Sequence, residues 1–114
     1  MTNATSGHEQ AYPAADPDLP FELVFAWHSQ AKPDEAYTRT SWDCWTFEYV
    51  ISGKGQLTID GQSHAIRQDG LYVLPKGKPH HYQADHQHPW QKLYAVVNGP
   101  LVPILLNAFG LTRI

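Results

Sequence analysis

Between Phe21 and Val97 the chain reads as short runs in which apolar and polar residues alternate, separated by clusters of Gly, Pro, Asp and Ser. Successive side chains on a β-strand point to opposite faces, so this two-residue period predicts strands. The run "FELVFAW" opens the series, and the polar "SQAKPDEAY" behind it reads as a loop. In "WDCWTFEYVI", Trp45, Phe47, Tyr49 and Ile51 share one face, and Thr46, Glu48 and Val50 share the other. "SGKG" turns the chain. "QLTIDGQSHAIR" follows with the strongest hairpin signal, Asp60-Gly61 between two alternating runs. A two-residue turn there pairs Ile59 with Gln62 and Leu57 with His64, and places Leu57, Ile59, His64 and Ile66 on a common face. Three more runs complete the series, "LYVLP", "HHYQA" and "WQKLYAVV", separated by "KGKP" and "DHQHP". About seven short strands with turn signals between them, and no helical period, predict an all-β sandwich or barrel.

The two ends depart from this pattern. Residues 1–20 are rich in Ser, Thr, Asn, Ala, Asp and Pro, with Tyr12 and Leu19 as the sizeable apolar groups, and read as a flexible N-terminal arm. At the other end "NGPLVPILLNAFGL" is apolar at helical spacing, with Asn98 or Gly99 placed to cap it and Gly110 as a C-terminal stop. That segment is one helix of roughly ten residues, apolar nearly all round. The expected organisation is an arm over 1–20, a barrel over 21–99 and the start of a helical segment over 100–114.

At 114 residues, 42% of them hydrophobic, the chain has material for one core and one domain. Its eight Lys and Arg are scattered singly and its net charge is -3, so a phosphate-tracking stripe is excluded and this chain by itself is not expected to bind nucleic acid. No apolar run reaches the ~20 residues of a membrane span. The opening "MTNATSGHEQ" lacks the basic and apolar regions of a secretion signal. A lone Cys44 forms no internal disulfide, and a reducing cytoplasm is its simplest setting.

Four of the seven histidines crowd into "PHHYQADHQHPW", residues 79–90, and histidine is the commonest metal ligand. The run "DGLYVLPKGKPHHY" resembles the second conserved motif of the cupins through Gly70, Pro75, Gly77 and His80. Pro75 ends a strand, Gly77 supplies the turn, and the next strand carries His80 into the barrel mouth. "YVISGKGQLTIDGQ" resembles the hairpin that closes the first cupin motif. Taken in order, Gly53 and Gly55, Pro75, His80 to Tyr82, Pro89-Trp90 and a strand ending in Gly99-Pro100 resemble the N-terminal effector-binding domain of the AraC family of bacterial transcription regulators. The resemblance covers residues 36–110. It implies a double-stranded β-helix, the cupin or jelly-roll barrel, with a short C-terminal helix, binding a small effector that is often a sugar. It also implies a helical segment used for dimerisation and a helix-turn-helix DNA-binding domain beyond it. The sequence stops at Ile114, so the expectation is an excised domain or truncated regulator without that DNA-binding part.

Metal-binding cupins need His-x-His, then three or four residues, then Glu in the first motif. Anchored on "YVISG", the glutamate position falls on Thr46 and the histidine positions on Arg39 and Ser41, or on Thr40 and Trp42. None is a usual ligand, and His80 alone does not make a site that takes three or more protein ligands. His86 and His88 read as solvated loop residues, and His81 points away from His80. No metal and no cofactor are expected.

The same replacements turn the cavity into a hydrogen-bonding one. Strand alternation points His80 and Tyr82 inward, and groups Lys92, Tyr94 and Val96 on one face of the last strand. The resemblance makes that face line the cavity. In the arabinose-binding member of the family the positions matching Lys92 and Tyr94 help hold the sugar as a histidine and a tryptophan, and the difference here points away from arabinose itself. A sugar site needs an aromatic platform and fixed donors and acceptors. Tyr82 and Tyr94 supply the platform, and Arg39, Glu48, His80 and Lys92 the polar groups. Two cations, Arg39 and Lys92, suit a carboxylate-bearing ligand equally well. Plainer roles compete: Tyr82 and Tyr94 as core, Arg39 as a strand-edge charge, and Glu48 paired with Arg39 or Lys92, since a buried lone carboxylate is costly. Trp90 reads as a rim or core anchor, Trp27, Trp42 and Trp45 as structural, and His64 as a packed, hydrogen-bonded histidine.

Two function classes follow. One is a non-catalytic sensor of a small-molecule effector, a sugar or sugar acid, that controls DNA binding through a domain absent from this chain. Its helix, with Leu101, Ile104, Leu105, Ala108 and Phe109, suits a homodimer or packing on its own barrel. In the arabinose-binding member the N-terminal arm folds over bound sugar, which gives residues 1–20 a candidate role. The alternative is a stand-alone small cupin enzyme, a metal-dependent isomerase or dioxygenase. The missing first-motif ligands argue against it, and no Ser, Cys or paired-carboxylate arrangement offers metal-free catalysis.

Overall fold

Among the described residues, the alternating runs fold as eight strands and the C-terminal apolar run as one helix. The computed structural model describes residues 16–40 and 43–110. The strands are β1 (Glu22–Gln30), β2 (Ala36–Arg39), β3 (Trp45–Ser52), β4 (Lys54–Ile59), β5 (Gln62–Arg67), β6 (Leu71–Leu74), β7 (His80–Ala84) and β8 (Gln91–Asn98), followed by α1 (Leu101–Ala108). They form two four-stranded antiparallel sheets, ordered β1-β8-β3-β6 and β2-β7-β4-β5, that face each other across the core as a jelly-roll barrel.

The β4–β5 hairpin has the expected register, Ile59 opposite Gln62 and Leu57 opposite His64. Asp60 and Gly61 both take positive φ, 53° and 76°, the type I′ geometry whose twist matches that of the flanking strands. Strand β2 begins in the last two residues of the stretch that reads as a loop and runs two residues past it. It has only four residues, too few for alternation to show, and gains its pairing from β7, with Tyr37 opposite Tyr82 and Arg39 opposite His80.

Among the described residues, two apolar clusters hold the fold. The first, between the sheets, contains Ala31, Val50, Leu57, Ile59, Tyr72, Leu74, Ala84 and Trp90. Gly55 sits beneath it: a Cβ there would run into the Trp90 ring and the Gln83 carbonyl, so the bare backbone lets the indole lie on β4. The second cluster joins Val102 and Leu106 of α1 to Val73 and Val97 on the outside of the first sheet, with Trp45 and Phe47 beside them. Each of those two helix side chains contributes about 1.5–3 kcal/mol by leaving water. Since α1 covers part of that sheet, neighbours such as Val96 and Val97 are both buried and strict alternation fails there.

The helix is shorter than its sequence pattern suggests and starts one residue later than a Gly99 cap, and two later than an Asn98 cap, would place it. Pro100 is the N-cap, with no side-chain hydrogen bond; instead Leu101 N–H donates to the Pro20 carbonyl and Val102 N–H to that of Gly99. Gly110, with φ 68°, ends it as expected, its N–H donating to the Asn107 carbonyl.

Candidate functional site

Residues directly opposed in antiparallel strands share a face, so the pairing registers show which side chains meet inside the barrel. Across the first sheet one inward row runs Trp27, Tyr94, Glu48, Tyr72. Its neighbours run Ser29, Lys92, Val50 and Phe25, Val96, Thr46, Leu74. On the second sheet the inward rows are Tyr37, Tyr82, Leu57, His64 and Arg39, His80, Ile59, Gln62. All six sequence candidates, Arg39, Glu48, His80, Tyr82, Lys92 and Tyr94, therefore lie on inward rows, at two different depths.

The deep layer is polar. Glu48 and Lys92 are 5% and 4% exposed, with Lys92 Nζ 2.8 Å from Glu48 Oε1. The Tyr72 hydroxyl donates to the same carboxylate oxygen at 2.5 Å and accepts from Lys92 Nζ at 2.7 Å. Lys92 Nζ also stands 3.9 Å from the ring centroids of both Tyr82 and Trp90. Two hydrogen bonds and two aromatic faces thus enclose the ammonium. Such an arrangement offsets the large cost of removing both charges from water. Burial pulls the Lys92 ammonium below its ordinary pKa, opposed by the charge of Glu48 and its hydrogen bond. Burial, then the Glu48 charge, push Tyr72 well above its ordinary value, so its hydroxyl keeps its proton.

His80 lies beside this layer, buried and stacked on Tyr82 with centroids 6.2 Å apart. Burial lowers its pKa to about 4; the Glu48 charge opposes this, Arg39 adds to it, a hydrogen bond with the Lys78 backbone opposes it, and Lys92 adds to it. His80 is neutral at pH 7. Arg39, half-buried on the edge strand, stacks over Tyr37 at 4.6 Å and donates from Nη2 to the Tyr37 hydroxyl at 3.3 Å. Tyr94 turns to the other edge, where its ring is 6.3 Å from Phe25, which stacks on Trp27 at 6.4 Å. Trp27 is 55% exposed although its row faces inward, so the barrel edge here presents an open aromatic wall. The structure thus gathers Glu48, Lys92, Tyr82 and His80 at depth, places Arg39 on the edge strand β2 and turns Tyr94 toward the edge strand β1.

Phe25, Tyr37 and Tyr72 escaped the sequence reading as site residues, and Trp27 read as structural. Tyr72 could have been found from its place opposite Glu48 once the β3–β6 register is known. Trp90 is a buried anchor, as one of its readings had it, and also forms half of the cage around Lys92.

The loop histidines lie outside this interior. His86 is exposed, and its Nδ1 is 2.7 Å from Asp34 Oδ2; His88 is exposed too, and its N–H, like that of Gln87, donates to Asp85 Oδ2 at 3.0 Å. This loop borders a cleft of about 630 Å³ lined also by Lys54, Gln56, Arg67 and Gln83. Among the described residues no three or more His, Cys, Asp or Glu side chains gather to hold a metal. Of the positions matching the metal motif, Thr46 is buried between Val96 and Leu74, while Ser41 and Trp42 lie outside the described residues. No helix among the described residues is long and apolar enough to cross a membrane.

Comparison with known proteins agrees with this architecture. The "Msm operon regulatory protein" of Streptococcus mutans serotype c (strain ATCC 700610 / UA159) is 30% identical over 95 residues, covering 82% of this chain and 34% of that protein. The "Raffinose operon transcriptional regulatory protein RafR" of Pediococcus pentosaceus is 34% identical over 50 residues, covering 43% of this chain and 18% of that one. The chain therefore spans about a third or less of the length of these two regulators. The Schizosaccharomyces pombe Cnp3 cupin domain superposes with a TM-score of 0.59 over 91% of this chain and 72% of that one; at 13% identity the likeness is one of fold. Residues 22–113, nearly the whole barrel and its helix, match the family model of the AraC-like ligand-binding domain, and it is to that family that the chain belongs.

Proposed function

We propose that this domain is the effector-sensing part of an AraC-type transcription regulator, that it is not an enzyme, and that its effector is a small sugar or sugar acid. One observation carries the reading: an inward-facing aromatic wall of Phe25, Trp27 and Tyr94 remains open in a barrel whose other inward rows bear the polar Arg39 and His80. Sugars are held by that combination, ring faces against C–H surface and fixed polar groups for hydroxyls. The relative named for the raffinose operon supports a sugar.

In this reading the regulator acts in the cytoplasm, and occupancy of the barrel controls DNA binding through a helix-turn-helix domain. The arm expected over residues 1–20 lies, for residues 1–15, outside the described residues, and a homodimer forms through α1. The exposed stripe of Leu101, Ile104, Leu105 and Phe109 supports the dimer, with Ile104 61% and Phe109 74% exposed.

Thermal unfolding with raffinose, melibiose, galactose, glucose, galacturonate and glucuronate tests the effector class. A ligand at a hundred times its Kd adds about 2.7 kcal/mol of stability, a clear rise in Tm. At least one of the six raises Tm in the wild type and none does so in Tyr94→Ala. Six unchanged melting curves would reject the sugar reading.

A further inference from the structure

We propose that Glu48 sets the charge selectivity of the barrel: by neutralising Lys92 at depth, it makes the site take uncharged effectors in preference to the corresponding acids. This rests on the reading of the domain as a sugar sensor and narrows it. Two cations near one cavity, Arg39 and Lys92, suit a sugar acid when read from the sequence alone. The geometry removes Lys92 from that role. An ammonium has three N–H donors; here Nζ donates to Glu48 Oε1 and to the Tyr72 hydroxyl, while Tyr82 and Trp90 cover it at 3.9 Å each. Four groups surround the cation, and a ligand carboxylate would have to displace one of them.

Arg39 lies over the Tyr37 ring and donates to its hydroxyl. Glu48 and Lys92 neutralise each other at depth, and Arg39 is engaged by the Tyr37 ring and hydroxyl, while Glu35 lies at the surface with its Oε1 accepting from Lys32 N–H. A ligand carboxylate drawn to this depth would therefore leave water for a buried pair that is already neutral, which is costly. A neutral polyhydroxyl adds no charge, and its C–H surface matches the wall of Phe25, Trp27 and Tyr94. Glu48 is in this sense a positioning residue, acting on selectivity through Lys92.

Calorimetric titration with matched pairs tests this: galactose and galacturonate, glucose and glucuronate, raffinose and its C6-oxidised acid. In the wild type the neutral member of any pair that binds should be at least tenfold tighter. In Glu48→Gln the ratio should move at least tenfold toward the acid, because the acid then supplies the missing counter-charge; a merely structural glutamate would leave the ratio where it was. Equal or tighter binding of the acid by the wild type overturns the inference and leaves the sugar reading standing. So does an unchanged ratio in a folded Glu48→Gln protein. If that variant does not fold, the wild-type ratio decides alone. Failure of all six compounds to bind overturns the sugar reading and this inference together.

Discussion

Replacing Glu48 with glutamine keeps the shape of the side chain and deletes its charge, which isolates the buried ion pair. Lys92 would then remain enclosed with the Tyr72 hydroxyl and two ring faces as its partners. Breaking a buried pair by removing one partner costs about 3–5 kcal/mol. Cation–π contacts in a dry setting reach about 2 kcal/mol and persist in the variant, so the lower end applies, about 3 kcal/mol. Against a total stability of about 5–15 kcal/mol that is a large fraction, and it lowers Tm by roughly 12–20 °C. The loss also depends on pH. Burial already holds the folded-state pKa of Lys92 below that of the unfolded chain, and the variant lowers it further. Between the two values the unfolded chain binds more protons than the folded one, so stability rises with pH in that window. The deficit of Glu48→Gln should therefore be largest at the acidic end of that window and narrow as the pH rises through it. The double variant Glu48→Gln, Lys92→Met removes both charges and should recover to within about 1 kcal/mol of the wild type. Urea unfolding of the three proteins at several pH values measures all of this. A single variant that loses under about 1 kcal/mol, or a double variant no better than the single, would refute the reasoning.

Three further outcomes follow from particular contacts. His80, with its pKa lowered to about 4, stays neutral in the folded state while the unfolded chain takes up a proton near pH 6.5; stability should fall by about 2–3 kcal/mol between pH 7 and 4.5, and level off below pH 4. Denaturant titrations should show a matching flattening of this dependence in His80→Gln. Gly61→Ala places a Cβ at φ 76° with nothing within 4 Å, so the cost is backbone strain alone, about 1–2 kcal/mol by thermal unfolding. Leu106→Ala opens the cluster under α1 and should cost about 2–5 kcal/mol, whereas the exposed Ile104→Ser should change monomer stability by under about 0.5 kcal/mol.

Much of the barrel is legible in the residues because its determinants are local. Asp60-Gly61 supports only a tight hairpin turn, so the β4–β5 register follows from two residues. The inward set of His80 and Tyr82 follows from alternation within β7. Strand β2 is illegible because a four-residue edge strand takes its conformation from β7. The helix caps are misread because the first N–H groups of α1 bond to backbone carbonyls, one of them on distant Pro20. For the site, sequence alternation shows which residues face inward and leaves their depth open. Lys92 and Tyr94 are two residues apart on one face of β8, yet one is sealed among Glu48, Tyr72, Tyr82 and Trp90 while the other reaches Phe25 near the open edge. Cross-strand register and side-chain length set that difference, and neither is a property of a single run. The open placement of Trp27 depends likewise on β1 being an edge strand.

The central claim is that a small sugar-like effector binds inside the barrel against the aromatic wall. Amide and side-chain chemical shifts recorded during titration with raffinose and galactose test it most directly. Shifts are expected to centre on the Trp27 indole, Phe25, Tyr94, Arg39 and His80. Shifts centred instead on Lys54, Gln56, Arg67 and Gln83 in the outer cleft, or none at all, would contradict it.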